Sequence, residues 1–178
     1  MLLADLGHHV TGFDLSEGML ADGQALSQAR YGVDSPTRPV FRIGDALDPP
    51  LPAGSVDVVS NRNVTWTLLD PRRAVRNWFN LLRPGGSILA VHHRVMRVGV
   101  NTPYPPAVRA ALPPLPDSET GNLEVTTNDP RFSDGLVLLL RDAGFADAHV
   151  VELPLVDAAE AKLGVDHLGW LAVVGTRP

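Results

Sequence analysis

Two acidic residues stand directly behind short apolar runs, the arrangement that lets a side chain meet a ligand at a strand end. Asp14 follows residues 9–13, and Asp45 follows residues 40–43 inside Gly44-Asp45-Ala46. A carboxylate offers several acceptor sites in one plane, so Asp14 suits the paired hydroxyls of a ribose. Asp45 suits an exocyclic amine such as that of adenine, with neighbouring backbone donating to a ring nitrogen. Each also reads as an ordinary residue of its type, since aspartate is favoured at helix caps and in turns. The pair, each placed behind a strand, is better evidence than either member. Met19 could lie against a purine face, although methionine at helical spacing also packs cores. Asn61, Arg62 and Asn63 leave a third apolar run, and His92 with His93 leave a fourth. Either histidine is a candidate base at neutral pH, but a base also needs reach to its substrate, and a partly exposed pair at a strand end is the simpler reading.

Strands and helices in alternation must position these groups. Residues 9–13 read as a strand, and Ser16 is suited to cap a helix running to about Ala29, with Met19, Leu20, Leu26 and Ala29 as its apolar stripe and Gly32 as its stop. Residues 40–43 form the next strand. The β-branched run 56–60 suits a strand covered on both faces in a parallel sheet. Asp70 and Pro71 supply the cap and first position of a second helix, in which Val75, Trp78, Phe79 and Leu82 recur at i, i+3, i+4, i+7. Arg83-Pro84-Gly85-Gly86 ends it, and residues 87–91 form a strand. Leu136, Leu139, Leu140 and Ala143 mark a third helix ending at Gly144, before two final strands at 148–153 and 170–175. The pattern predicts one α/β domain over 1–178: a Rossmann-like, mostly parallel sheet with an antiparallel terminal strand pair. Residues 98–132 gather seven prolines and read as an insertion that could cap a substrate, with one short helix near 107–112.

Composition narrows the partners. At 178 residues with 44% hydrophobic and 20% charged residues, the chain has the make-up of one soluble domain. The net charge is −5, and the 15 lysines and arginines are scattered, so the basic stripe that binds nucleic acid is missing. Cysteine is absent, which excludes thiol chemistry and thiolate metal sites. Met1 to Val10 lacks the basic leader of a signal peptide, and no run has the length of a membrane span, so a cytoplasmic location and no membrane partner are expected.

In open α/β sheets, ligands bind outside the carboxyl ends of the strands, where Asp14, Asp45, Asn61, Arg62, His92 and His93 fall. Residues 7–16, GHHVTGFDLS, resemble the second-strand motif of class I S-adenosylmethionine-dependent methyltransferases, and Gly44-Asp45-Ala46 is similar to their adenine motif. Residues 56–60, followed by Trp66-Thr67-Leu68, resemble their fourth strand and its exit. Leu82-Arg83-Pro84-Gly85-Gly86 resembles the signature before strand five, and Asp142-Ala143-Gly144-Phe145 the end of a late helix. The resemblance covers the chain except the Pro-rich stretch, and Leu-Arg-Pro-Gly-Gly is its most specific element. It implies S-adenosylmethionine as cofactor, with Asp14 on the ribose, Leu15 and Met19 flanking the nucleoside, Asp45 and Ala46 at adenine, and Asn61 with Arg62 along the methionine moiety. It implies no metal.

One departure stands out. The glycine-rich loop of such folds lies roughly 20 residues before the ribose acid. Here Asp14 has 13 residues before it, so the first strand and that loop are expected to be missing from this sequence, and cofactor binding by this chain to be impaired. An open sheet would favour a homodimer. The acceptor is expected to be a small molecule, because the Asn-Pro-Pro-Tyr type motif of nucleobase methylation is absent after the third run. Trp66 and the Pro-rich stretch could wall an apolar pocket, although Trp66 reads equally well as core. Two other readings remain: a nicotinamide-dependent oxidoreductase, whose ribose Asp14 would serve equally well, and a non-catalytic methyltransferase-like partner subunit.

Overall fold

Short β-branched runs alternating with amphipathic stretches fold, in a computed structural model, into parallel pairs of strands flanked by helices. The structure describes residues 1–93, 132–154, 156, 162 and 169–178. The chain divides into two compact units, Met1–Leu51 and Pro52–Pro178. The insertion expected at 98–132 lies outside the described residues up to position 131, as does the short helix expected near 107–112. Among the described residues, no helix is long and apolar enough to cross a membrane.

In the first unit, a helical turn α1 (Leu2–Asp5) precedes strand β1 (Thr11–Asp14), helix α2 (Glu17–Tyr31) and strand β2 (Val40–Ile43). β1 and β2 pair in parallel, with Thr11 opposite Val40 and Asp14 opposite Ile43. Ser16 caps α2 by accepting from the Met19 amide at 3.3 Å, and Gly32 ends it at φ 78°. The buried face of α2 differs from the expected stripe. Leu26 and Met19 are exposed, whereas Ser27 is fully buried and donates to the Pro39 carbonyl at 2.9 Å. A Cβ added at Gly23 would stand 3.3 Å from the Phe41 ring. The helix therefore turns its small residues inward and approaches β2 closely, where a leucine face would be held off by its own bulk. At the far end of α2, Arg30 forks onto the Asp5 carboxylate at 3.0 and 2.7 Å, and the Tyr31 hydroxyl sits 2.6 Å from the same carboxylate.

The second unit holds strand β3 (Val56–Arg62), a 3-10 turn at Thr65–Thr67, helix α3 (Pro71–Leu81), strand β4 (Leu82–His93), helix α4 (Phe132–Asp142) and strands β5 (Ala146–Glu152) and β6 (Trp170–Thr176). The sheet order is β3-β4-β6-β5; β3 and β4 are parallel, and β6 runs antiparallel to both of its neighbours. The expected antiparallel partners are thus present, with β6 inside the sheet and β5 at its edge.

Asp70 caps α3 by accepting from the Arg73 amide at 2.8 Å, with Pro71 at the first helical position. Val75, Trp78 and Leu82 are buried as their spacing predicts, and Leu136 and Leu140 of α4 join them in the core with Ile88 and Val173. Phe79 meets Phe145 edge to face at 5.0 Å. The Pro-Gly-Gly segment does not interrupt the sheet. It runs into β4, where Gly85, at φ 79°, donates to the Arg177 carbonyl and Arg177 donates back to Gly86. The Arg177 guanidinium reaches the carbonyls of Phe79, Asn80 and Leu82, the orphan acceptors at the carboxyl end of α3. β3 is not covered on both faces as its apolar run suggested: Val58 is 50% exposed, and among the described residues β3 pairs with β4 alone.

Candidate functional site

Each unit carries its own set of groups at strand ends. In the first, the parallel register places Asp14 and Ile43 at the same level, and the Gly44 amide donates to the Asp14 carbonyl at 3.0 Å. Asp14 and Asp45 therefore leave neighbouring strands at one edge of the pair. Asp14 is not the helix cap. Ser16 has that task, while one Asp14 carboxylate oxygen accepts from the Ser16 amide at 2.9 Å and fixes the turn between β1 and α2. Asp45 behaves in the same way, accepting from the Leu47 amide at 2.8 Å. In both aspartates one oxygen anchors the side chain and the other has no hydrogen-bond partner among the described residues.

Apolar side chains stand beside these carboxylates. Leu15 is 67% exposed, Met19 62% and Ile43 59%. Core packing does not explain Met19, since it is open to solvent on the first turn of α2. Carboxylate acceptors with exposed apolar side chains beside them suit a nucleoside, whose sugar hydroxyls and exocyclic amine donate while its ring faces are apolar. The residues present in this unit thus fit an adenosine group. Ala46 follows Asp45 in the same turn.

In the second unit, Asn61 and Arg62 end β3 opposite Ala90 and Val91. The Arg62 guanidinium lies 6.0 Å from the ring centre of Trp170 and has no carboxylate partner among the described residues. Asn61 accepts from the Thr65 hydroxyl at 3.2 Å, and Thr65 is buried. Asn63, the third residue at this strand exit, has φ 57°, in the left-handed region, and its amide donates to the Val91 carbonyl at 2.9 Å. Left-handed backbone at a non-glycine residue is uncommon, and asparagine is among the side chains that adopt it most readily. The residue type was therefore a signal, though a weak one.

His92 is buried, with Nε2 3.4 Å from the hydroxyl of buried Ser133 at the start of α4. This is the setting of a packed histidine, where the place at a strand end suggested a partly exposed one. For His93 the structure gives the backbone pairing with Trp170. Trp66 lies in the 3-10 turn, and its side chain is outside what the structure describes. Among the described residues, no cluster of side chains could hold a metal ion.

Comparison with known proteins adds the following. Residues 1–90 match the family model described as a methyltransferase domain. A probable S-adenosylmethionine-dependent methyltransferase of Mycolicibacterium smegmatis is 31% identical over 180 residues, covering 99% of this chain and 54% of the relative. The chain thus spans about half the length of the curated relative it matches. Among solved structures, a geranyl diphosphate C-methyltransferase from Streptomyces coelicolor superposes with a TM-score of 0.64 at 14% identity, over 100% of this chain and 68% of that one. A phosphoethanolamine N-methyltransferase from Haemonchus contortus, solved with S-adenosyl-L-methionine, gives 0.56 at 19% identity, over 96% of this chain and 43% of that one. At such identities these two likenesses concern the fold alone.

Proposed function

Because the chain belongs to the class I S-adenosylmethionine-dependent methyltransferases, with S-adenosylmethionine as the cofactor, we propose that it takes part in methyl transfer to a small-molecule acceptor. The observation that carries this reading is the pair Asp14 and Asp45 at the ends of adjacent parallel strands, with Leu15 and Met19 exposed beside them. Asp14 accepts from the ribose hydroxyls through the oxygen left over from its turn. Asp45 and Ala46 hold the adenine edge, and Leu15 and Met19 cover its faces. On the second unit, Asn61 and Arg62, the latter 6.0 Å from the Trp170 ring centre, are polar groups of the kind that suit a methionine moiety.

S-adenosylmethionine supplies a methyl group already activated on a sulfonium. The chain has then to hold the nucleoside, keep the acceptor aligned and lead away a proton where the acceptor must lose one. A net charge of −5 with scattered basic residues supports a small molecule over a nucleic acid.

Calorimetric titration with S-adenosylhomocysteine tests the assignment. Asp14→Ala should weaken binding by about 1–3 kcal/mol, the usual cost of leaving buried polar groups unpaired. Equal affinity in variant and parent would remove Asp14 from the site.

A further inference from the structure

The first unit holds three arginines and no lysine among seven carboxylates, and the three cations meet different fates. Arg30 forks onto Asp5 through Nε and Nη2, and Arg42 is exposed to water. Arg38 is half-buried and unpaired: its Nε and Nη1 are sealed from water with no hydrogen-bond partner, and only Nη2 is left to solvent. No carboxylate meets this guanidinium among the described residues, and Asp34, exposed and four positions away, does not pair with it. A guanidinium has five donors, no acceptor and a charge that proteins do not remove. Burying such a charge without a counter-ion is costly, so an arginine kept in this state calls for an anion.

The turn around Arg38 is built to hold it still. It stands between α2 and β2 in Ser35-Pro36-Thr37-Arg38-Pro39, where two prolines fix the backbone and the Arg38 amide donates to the Ser35 carbonyl at 3.2 Å. Pro39 is fully buried, and its carbonyl takes the Ser27 hydroxyl of α2. The hydroxyls of Ser35 and Thr37 lie 3.3 Å apart in the same turn; one donates to the other, which leaves one hydroxyl proton free. This turn precedes the amino end of β2, whereas Asp45 follows its carboxyl end, about 10 Å away along a four-residue strand.

We propose that Arg38 forms an anion site separate from the nucleoside groups, and that its ligand is a phosphate group, free or as a monoester. The anion enters at Nη2, and a small swing of the long side chain uncovers Nε. The Nε–Nη2 edge then takes two oxygens, as Arg30 takes those of Asp5. A carboxylate has no oxygen beyond those two. A phosphate has, and the free hydroxyl of the Ser35 and Thr37 pair is the donor in the same turn that meets it. Bound there, the anion ties down the connection between α2 and β2 in a unit with few buried apolar side chains, and so acts as a stabilising ligand of the folded form.

Titration of the full chain in a phosphate-free zwitterionic buffer, at constant ionic strength set with chloride, tests the site. Inorganic phosphate, glycerol phosphate and acetate are compared by calorimetry and by hydrogen exchange. Phosphate should bind saturably and more tightly than acetate, and at about ten times its Kd should slow exchange in α2 and β2 roughly tenfold. Tighter binding of glycerol phosphate than of inorganic phosphate assigns the group to a monoester; the reverse order assigns the free ion. Arg38→Met should remove the response yet keep or raise the thermal midpoint without phosphate, because an unpaired buried charge gives way to an apolar chain. Arg38→Lys, which keeps the charge without the fork, should weaken phosphate binding. The double variant Ser35→Ala with Thr37→Val should weaken phosphate and leave acetate unchanged. The proposal falls if phosphate gives no saturable response, if acetate matches it, or if Arg38→Met responds as the parent does. A lower midpoint for Arg38→Met in phosphate-free buffer overturns it too, by giving Arg38 a structural partner within the chain.

Discussion

The two units, Met1–Leu51 and Pro52–Pro178, hold themselves together by different means. The second has a core of large apolar side chains, with Leu82, Ile88, Leu136, Leu140, Val75 and Val173 fully buried. Among the described residues, the first contributes only Ala4 and Pro39 to the buried apolar set, and it carries eight of the twelve exposed large hydrophobics. Parallel strands are ordinarily covered on both faces, so a parallel pair with this much exposure draws its order from elsewhere. It draws it from close contacts and polar ties: glycines set against phenylalanine rings, Ser27 bonded to Pro39, and Asp5 gripped by Arg30 and Tyr31. Large buried side chains and large exposed ones are thus separated along the chain.

Truncating a core residue of the second unit should give the largest effect. Trp78→Ala, at a site 2% exposed, should cost about 3–5 kcal/mol in denaturant unfolding. Hydrogen exchange should accelerate across α3 and β4. A loss below about 1 kcal/mol would mean that the second unit does not rest on its apolar core.

A smaller but substantial effect is expected from adding one carbon to the first unit. A Cβ at Gly12 would stand 2.8 Å from the Phe41 ring, and one at Gly44 would stand 2.7 Å from Phe13 and 3.1 Å from Pro50. Gly12→Ala and Gly44→Ala should each destabilise by about 1–3 kcal/mol, the usual penalty for overpacking. Exchange should rise in β1 and β2 and leave the second unit unaffected. Neutral behaviour in both variants would break the claim that glycine contacts order this unit.

The polar tie gives a pH signature. The Tyr31 hydroxyl, together with the Arg30 guanidinium, holds the Asp5 carboxyl below its ordinary value, despite an opposing contribution from burial. A carboxyl with a depressed folded pKa adds stability above its unfolded value of about 3.9 and loses it as pH falls through the folded value. Tyr31 is pushed up, by burial first and then by Asp5, so its contribution is present below its ordinary value near 10 and fades as pH climbs through the folded one. Asp5→Asn should therefore flatten the acid limb of the first unit's stability profile, read by exchange in α2. An unchanged limb would assign acid sensitivity to other carboxylates.

The smallest effect marks the contrast. Leu26→Ala, at a residue 64% exposed, should change stability by less than about 0.5 kcal/mol, although leucine at that spacing looks like core. A loss of several kcal/mol would show that the outer face of α2 is covered in solution.

That last residue also shows where the sequence was readable. Asp70 with Pro71, the stripe of α3, the leucines of α4 and the strand at Val40–Ile43 are local signals, carried by capping chemistry and periodicity, and the structure has them. The inner face of α2 was misread because apolar spacing assumes that large side chains face inward. Here Gly23 and Ser27 do so, and their use depends on Phe41, on another element. Val58 was misread for a related reason: a β-branched run does not say whether another element covers both faces of its strand. In the candidate site, Asp14 and Asp45 stand out because each follows a strand directly. Asn63 also follows a strand, but its left-handed backbone and unpaired carbonyl are properties of the folded loop.

The position of β6 has a consequence for how the second unit is made. β6 lies between β4 and β5, so neither neighbour can complete its hydrogen bonds until Trp170–Thr176 exist. In a nascent chain, β4 emerges with the apolar run Ile88-Leu89-Ala90-Val91 open along one edge. It must wait for every residue between His93 and Trp170, on the order of ten seconds at ~5–20 residues per second. For that interval the strand is a template for pairing with any other chain. Ribosome-bound intermediates halted before Trp170 should therefore be the aggregation-prone species and the ones a chaperone holds, and release past Thr176 should end that dependence.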